Sequence, residues 1–390
     1  MSILLKRDTK VYLEAAQSDG SNIVWEIPVL DGFSYSQSNT TTEVALNEME
    51  SGAGVSRRGR RMFNDALDPV EWSFSTYIRP YTSPATGHDT SGTHHAVEEL
   101  LWAKFVGTGT PGGTGGTWDY DLGSTEFAAN TTSLIINTSN SAVTTLGTFN
   151  IYFVLGGNLD ADGDYTVADG LEIHKISTCT VNEATINFDV DGIAQIDWSG
   201  NGTTLEVLDP GTAVTFSTAE TQDISATDNY IRNKLTAMTM SRGTFTGSSN
   251  FATSYSLTLT GGSITFTNNI TYLTPETLGE VNTPIGHITG NKSITGNFTC
   301  YMQDSTGTNT SGDLLHDALS ATSVVTNEFD ITFKLGGASG TPRMEINIPQ
   351  THIEIPAVTT DDIIGIDVNF HALPGTIEDT DEFTLTYVGA

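Results

Sequence analysis

Apolar and polar residues alternate along much of this chain, and one alternating segment occurs twice. Residues 149–157 read Phe-x-Ile-x-Phe-x-Leu-Gly-Gly, and residues 329–337 repeat this pattern 180 positions later. An apolar residue at every second position predicts a β-strand with one buried face, and the paired glycines predict the turn that ends it. The chain is therefore predicted to contain one β-rich unit in two copies.

Other alternating segments match between the two halves in the same order. The matched pairs are 25–29 with 255–259, 33–35 with 264–266, 74–78 with 298–302, and 186–198 with 364–370. Both halves are thus predicted to run through several strands, one helix and several more strands. Alternation of this kind is typical of antiparallel sheets with one buried face.

Two segments have the apolar spacing of helices, with side chains at i and i+4 on one face. These side chains are Ala96, Val97, Leu100, Leu101 and Trp102 in the first helix, and Leu314, Leu315, Ala318 and Leu319 in the second. Thr93 is the predicted N-cap of the first helix. The acidic pairs Glu98–Glu99 and Asp361–Asp362 are predicted to be solvated.

The predicted fold is mainly β, with two tandem antiparallel β-sandwich or barrel domains that each carry one α-helix. The first domain is predicted over residues 1–210 with inserted loops, a linker over 211–230, and the second domain over 231–390. The insertion at 107–148, rich in Gly and Thr, has almost no counterpart in the second copy. It is either surface decoration or a contact with neighbours, and the sequence leaves both interpretations open.

A basic cluster interrupts an otherwise acidic chain. Arg57, Arg58, Arg60 and Arg61 lie in the long loop 36–70, whose counterpart at about 267–297 lacks arginines. One interpretation is a solvated loop, and the other is an arm that docks on the acidic surface of another copy. We favour docking, because complementary charge steers association and fixes register.

The chain carries 47 acidic and 16 basic residues, a net charge of −31. Duplex binding normally needs Lys and Arg to displace condensed counterions, so this charge argues against nucleic-acid binding. The two cysteines, Cys179 and Cys300, allow neither a disulfide framework nor a CxxC metal motif, which fits folding in a reducing cytoplasm. The start of the chain lacks a signal-peptide pattern, and no apolar run approaches the ~20 residues of a membrane span.

One segment has the spacing of a calcium loop. Its oxygen donors occupy positions 1, 3, 5, 7, 9 and 12 around a glycine at position 6: Asn158, Asp160, Asp162, Asp164, Thr166 and Asp169. Asn at position 1 and Asp at position 12 depart from the usual Asp and Glu. The segment is therefore either a calcium site or an acidic hairpin loop, and calcium is the one cofactor that the sequence suggests.

No other motif indicates chemistry. His88, His94 and His95 are close in sequence, but they are better explained as loop and helix-start residues than as zinc ligands. The chain has no G-x-S-x-G segment and no phosphate-binding loop. The protein is therefore predicted not to be an enzyme.

The order of elements, their duplication and the long loop between early strands resemble the tail tube proteins of long-tailed bacteriophages. The resemblance covers nearly the whole chain, and it is closest to members with two fused tube domains. In that family the sheets of neighbouring subunits join into a ring, and stacked rings form a hollow tube. The resemblance implies a structural virion protein, made in the host cytoplasm and located in the tail.

The resemblance also implies the partners. These are further copies in homotrimeric rings with pseudo-sixfold symmetry, stacked rings, other tail proteins at the tube ends, and genomic DNA that passes through the lumen without specific binding. Two alternatives remain open from the sequence. One is a calcium-dependent adhesive or carbohydrate-binding β-sandwich protein, and the other is a different ring component of the tail, such as a terminator or distal tail protein.

Overall fold

A computed structural model describes most of the chain. The described residues are 4–16, 22–44, 50–51, 55–56, 61–82, 93–107, 111–112, 119–120, 127–129, 132–137, 146–156, 165–166, 172–209, 213–214, 229–243, 251–304, 309–320, 329–340, 342–360, 362–377, 379 and 381–389. None of the helices in these ranges is long and apolar enough to cross a membrane.

The described residues form mainly β-structure, as the alternation predicts. In chain order the strands are β1 Lys10–Ala16, β2 Asn22–Ile27, β3 Ser34–Ser36, β4 Asn39–Glu43, β5 Glu50–Ser51, β6 Val55–Ser56, β7 Met62–Leu67, β8 Val70–Tyr77, β9 Pro80–Thr82, β10 His94–Ala96, β11 Pro111–Gly112, β12 Asp119–Tyr120, β13 Phe127–Ala129, β14 Leu134–Asn137, β15 Phe149–Leu155, β16 Tyr165–Thr166, β17 Glu172–Asp189, β18 Gln195–Gly202, β19 Thr204–Val207, β20 Ala213–Val214, β21 Ala237–Arg242, β22 Ser254–Tyr255, β23 Leu259–Thr267, β24 Thr271–Leu273, β25 Gly286–Ile288, β26 Ser293–Tyr301, β27 Phe329–Leu335, β28 Arg343–Ile353, β29 Ala357–Thr360, β30 Ile364–Ala372 and β31 Thr384–Val388. The helices are α1 Glu99–Val106 and α2 Ser311–Ser320, with 3-10 turns at Lys6–Asp8 and Asn233–Leu235.

The same set of antiparallel pairings occurs in both halves. In the first half β15 lies between β1 and β17, and β18 lies between β17 and β8. In the second half β27 lies between β21 and β28, and β30 lies between β28 and β26. Even the irregularities match, because the register shifts after Phe149 in β15 and after Phe329 in β27. The repeated sequence segment thus forms a strand with equivalent neighbours in both halves.

The long loops before β8 and β26 both contain β-hairpins. β4 pairs with β7 in the first half, and β24 pairs with β25 in the second. The register also corrects one sequence alignment: Ser34 lies opposite Ser73, and Ser263 lies opposite Asn297. Tyr35 is therefore equivalent to Ile264, whereas the sequence pattern matched Phe33 to that position.

The first helix begins later than its apolar pattern predicts. Ala96 belongs to β10, and the N-cap position is Glu98, whose side chain makes no capping hydrogen bond. Thr93 is not the cap, since its hydroxyl lies 3.2 Å from His95 Nε2 in a buried position. The prediction that Glu98 and Glu99 are solvated is also wrong, because both are fully buried. The second helix lies where the pattern predicts it.

One sheet connects the two halves. β17 pairs with β23 over Glu183–Asp189 and Gly261–Thr267, and β14 of the insertion pairs with the C-terminal strand β31. The main core consequently runs through both halves, and it includes Trp72, Trp102 and Trp198 beside Phe266 and Phe383. The insertion therefore contributes a strand that pairs with the second half.

Candidate functional site

The structure describes few of the residues that the sequence suggested as sites. Of the calcium-loop residues only Thr166 is described, in β16, which pairs with β20. Asn158, Asp160, Asp162, Asp164 and Asp169 lie outside the described residues. Of the basic cluster, Arg57, Arg58 and Arg60 also lie outside the described residues. Arg61 is described: it is exposed, and its carbonyl accepts the N–H of Val44 at 2.9 Å. The backbone pairing of the β4–β7 hairpin thus continues to Arg61.

His94 and His95 make hydrogen-bonding contacts within the fold, and His88 lies outside the described residues. His95 is buried, and its Nδ1 lies 3.0 Å from a carboxylate oxygen of Glu99. His94 Nδ1 accepts the backbone N–H of Gly389 at 2.9 Å. Within the described ranges, no group of three or more His, Cys, Asp or Glu side chains is placed to hold a metal ion.

A polar surface covers the side of the connecting sheet that faces away from the core. The strands β8, β18, β26 and β30, the Glu183–Asp189 part of β17 and the Ser263–Thr267 part of β23 alternate buried apolar with partly exposed polar residues. On the exposed side stand short polar side chains and five acids, with no Lys or Arg among them. The acids are Glu71, Glu183, Asp189, Asp197 and Asp367. We call this surface the polar face.

Side-chain hydrogen bonds cross the strands of the polar face. Ser75 donates to Asp197 at 2.6 Å, and Asn187 donates to the other oxygen of Asp197 at 3.1 Å. The hydroxyls of Thr185 and Thr265 lie 3.1 Å apart, where β17 of the first half meets β23 of the second. The polar face therefore continues without interruption across the junction between the halves.

The junction between β17 and β23, which we call the internal junction, is tightly packed. Phe188 lies opposite Gly262, and a Cβ on that glycine would stand 2.8 Å from the Phe188 ring, so only glycine leaves room for it. Tyr272 of the second hairpin donates to the carbonyl of Thr178 at 2.8 Å, and burial raises the pKa of Tyr272. Phe188 of the first half and Tyr272 of the second each pack against the other half at this junction.

β29 in the second half has an open edge. It is the equivalent of the part of β17 that forms the internal junction. Ile186 lies opposite Ile196, and Val358 in β29 lies opposite Ile366, at the equivalent place. Ile186 is 0% exposed because β23 covers its edge, whereas Val358 is 46% exposed. In the described part of the chain, β29 pairs with β30 alone. We call this the trailing edge.

The first half has the matching open edge at β3, the equivalent of β23. β23 pairs with both β26 and β17, but β3 pairs only with β8 among the described residues. Tyr35 in β3 stacks on Phe153 at 4.2 Å, and its hydroxyl lies 2.7 Å from His174 Nδ1. Burial, with a smaller effect of Glu172, raises the pKa of Tyr35 to about 12. β3 is thus held in position by neutral Tyr35, and we call it the leading edge.

The two helices differ in burial: α1 is covered by the second half, and α2 is largely exposed. Every residue of α1 is buried, and Trp102 contacts Phe266 and Phe383 of the second half at 5.4 and 6.4 Å between ring centroids. Burial also lowers the pKa of Lys104 to about 8. In α2 only Ser311 and Leu314 are buried, and Leu319 is 64% exposed. The second half thus exposes surface equivalent to the surface that the first half buries.

Sequence patterns did not reveal these two edges. β29 and β3 are short, and a period of two identifies a strand without showing which of its edges is paired. A signal was nevertheless present in the duplication. Each element that the first half buries against the second must have a counterpart in the second half, and that counterpart needs another partner.

Comparison with known proteins gives two findings. The family model described as phage tail tube protein matches residues 103–372. The chain is also 31% identical over 389 residues to the tail tube protein pb6 of Escherichia phage T5, covering 98% of this chain and 75% of that protein. Both findings favour a structural tail tube role over an adhesive protein. The chain belongs to the phage tail tube protein family.

Proposed function

We propose that copies of this chain join edge to edge into closed rings, which stack to form the tail tube. The observation that carries the proposal is the contrast between Ile186, which β23 covers, and its counterpart Val358, which is exposed. Unpaired strand edges tend to pair with other chains. A head-to-tail contact that closes by rotation leaves no such edge in the assembly.

The internal junction supplies the geometry of the contact. Ile186 lies opposite Ile264, so the equivalent contact between copies puts Val358 of the trailing edge opposite Tyr35 of the next copy's leading edge. Residue sizes agree with this register. Where the internal junction has Phe188 against Gly262, the contact between copies has Thr360 against Phe33. In both cases one aromatic ring lies beside a smaller residue.

The stoichiometry follows from two tube units per chain, over 1–210 and 231–390, joined by the linker 211–230. Three chains then give six units and pseudo-sixfold symmetry, as the resemblance to fused members of the family implies. The polar face lines the lumen in this arrangement. Its acids repel phosphate, and the absence of Lys and Arg among its described side chains removes the contacts that hold duplex DNA. Genomic DNA therefore passes without specific binding.

A cysteine pair tests the ring and its register together. Thr185 and Thr265 are hydrogen-bonded across the internal junction, and their counterparts at the contact between copies are Ala357 and Ser36. Directly opposite residues lie about 4.5–5.5 Å apart at Cα, which a disulfide can span. We expect Ser36→Cys with Ala357→Cys to give, on oxidation, covalent trimers in denaturing electrophoresis and rings in electron micrographs.

A register-shifted pair is the control. Ser34→Cys with Ala357→Cys puts the cysteines on a diagonal of roughly 7–8 Å, too far for an unstrained disulfide. The native Cys179 and Cys300 are both buried and do not interfere. Rings without crosslinks would overturn the register alone. A protein that stays monomeric at every concentration would overturn the proposed function.

We further propose that the basic cluster Arg57, Arg58, Arg60 and Arg61 docks on the acidic surface of another copy, in the same ring or the next. The support is its charge in a chain of net charge −31, together with its place in the loop that contains the β4–β7 hairpin. Replacing the four arginines with glutamate should shorten or abolish tubes in electron micrographs. Replacement with lysine keeps the charge and should preserve the tubes.

A further inference from the structure

A short arm crosses the internal junction beside the paired strands. This arm, Asn229–Leu235, precedes β21 and lies on the turn between β17 and β18. The N–H of Ala194 donates to the carbonyl of Ile231 at 2.8 Å, and the N–H of Asn233 donates to the carbonyl of Gly192 at 3.2 Å. Ile231 is 1% exposed. The arm thus connects the second half to the first independently of β23.

Aromatic contacts strengthen the docking of the arm. The rings of Tyr230 and Tyr77 meet edge to face with centroids 5.4 Å apart. The Arg79 guanidinium lies 4.9 Å from the Tyr230 ring, within the range of a cation–π interaction. The arm therefore covers the end of β8 and the turn before β18 together.

The N-terminal segment is the counterpart of this arm. Val11 lies opposite Phe153 and Met238 lies opposite Phe333, so β1 and β21 are offset by 227 positions. The 3-10 turns Lys6–Asp8 and Asn233–Leu235 have the same offset. Leu4 is therefore equivalent to Ile231. Leu4 and Leu5 are both exposed, whereas Ile231 is buried.

The surface equivalent to the arm's docking site is also exposed. The N–H of Ile78 donates to the carbonyl of Ala194, and the N–H of Met302 donates to the carbonyl of Ile364, which makes Ile364 the counterpart of Ala194. Ile78 and Ala194 are 0% exposed, whereas Met302 is 38% and Ile364 is 50% exposed. The exposed residues Tyr301 and Ile363 adjoin them. We call Tyr301, Met302, Ile363 and Ile364 the C-terminal apolar patch.

We propose that the N-terminal segment Leu4–Asp8 of one copy docks on the C-terminal apolar patch of the neighbouring copy. This inference rests on the proposed ring and adds a second, separate contact to the paired edges. Leu4 takes the place that Ile231 occupies at the internal junction. Charge agrees with the docking, since the segment carries Lys6 and Arg7 and the exposed Asp362 adjoins the patch.

The experiment uses the full chain with Leu4→Asp or Ile363→Asp. Each change places a charge in the proposed contact. We expect the concentration for half-assembly, measured by sedimentation, to rise by about tenfold or more, because the contact would then bury a carboxylate without a partner. Leu4→Ile installs the arm's own residue and should assemble like the unaltered protein. Circular dichroism checks that every variant is folded.

A charge exchange identifies the partner surface. Arg7→Glu should weaken assembly, and Arg7→Glu combined with Asp362→Arg should restore it. Unaltered half-assembly concentrations in both Leu4→Asp and Ile363→Asp would overturn the docking while leaving the ring intact. If the unaltered chain forms no rings at all, the proposed function itself fails, so the two failures are distinguishable.

Discussion

The indole N–H of Trp102 donates a hydrogen bond of 2.7 Å to the hydroxyl of Tyr387, a residue 285 positions away in the chain. Trp102 belongs to α1 in the first half, and Tyr387 belongs to the C-terminal strand β31. Both side chains are fully buried. Because β31 also pairs with β14 of the insertion, the end of the chain is fixed to the first half by a backbone ladder and by this bond.

Tyr387→Phe should destabilise the folded chain. The change leaves the buried indole N–H of Trp102 without its acceptor, which costs about 1–3 kcal/mol. Urea unfolding followed by tryptophan fluorescence measures the loss. Tyr301→Phe removes a hydroxyl at an exposed position and is the matched control, with an expected change within about 0.5 kcal/mol. Equal stability of the two variants would show that the bond contributes nothing.

Glu98 should make stability depend on pH near neutrality. Burial, the main cause, raises the pKa of its carboxyl to about 7, with a smaller contribution from Glu99, although the Tyr387 hydroxyl interacts favourably with the charged form. Among the described residues, neither carboxyl oxygen of Glu98 has a partner with hydrogen-bond geometry, so burial dominates. The folded state therefore holds a proton that the unfolded state releases near pH 4.5.

The sign of the effect follows from this raised pKa. The stabilisation is complete below the unfolded pKa and is lost as pH rises toward 7. Glu98→Gln should remove this loss, so that at pH 8 the variant is more stable than the unaltered chain by on the order of 3 kcal/mol. Urea unfolding at pH 5 and pH 8 measures the difference. Glu71→Gln, at an exposed position, should leave the pH profile unchanged.

The sequence predicted the parts of the fold that depend on local periodicity. The segment beginning at Phe149 and its repeat at Phe329 became β15 and β27, and the second helix formed where its apolar spacing predicted it. The predicted start of the first helix was wrong, because Ala96 and Val97 are not buried as part of a helix face. They pack in the common core of both halves, and burial of that kind is not periodic.

The contacts between the halves could not be predicted. Glu98 and Glu99 have the composition of a solvated helix start, but distant parts of the chain bury them, including the strand that carries Tyr387. The exposure of Val358 likewise depends on the pairing of β29, since its equivalent Ile186 has a similar sequence setting and is buried. Pairings between residues as distant as Ile186 and Ile264, 78 positions apart, leave no periodic signal in one sequence.

The calcium-like loop remains a sequence prediction, and we propose a thermal test for it. If Asp160, Asp162 and their neighbours bind the ion, calcium should raise the melting temperature, because a ligand that binds only the folded state stabilises it. The double change Asp160→Ala with Asp162→Ala should abolish this rise. Identical melting curves with calcium and with chelator would eliminate the site. The second half has no counterpart, so ring formation should not require calcium.

Val358→Asp should prevent ring formation without unfolding the chain. The side chain is 46% exposed in the single chain, so a charge there remains solvated, but in the proposed ring it would be buried opposite Tyr35. Burying a carboxylate without a partner costs several kcal/mol of association free energy, which should be enough to prevent the contact from forming. Sedimentation should therefore find folded monomers. Thr359→Asp alters the adjacent residue on the opposite face, toward the lumen, and should still form rings. Rings formed by Val358→Asp at the normal concentration would exclude β29 as the trailing edge.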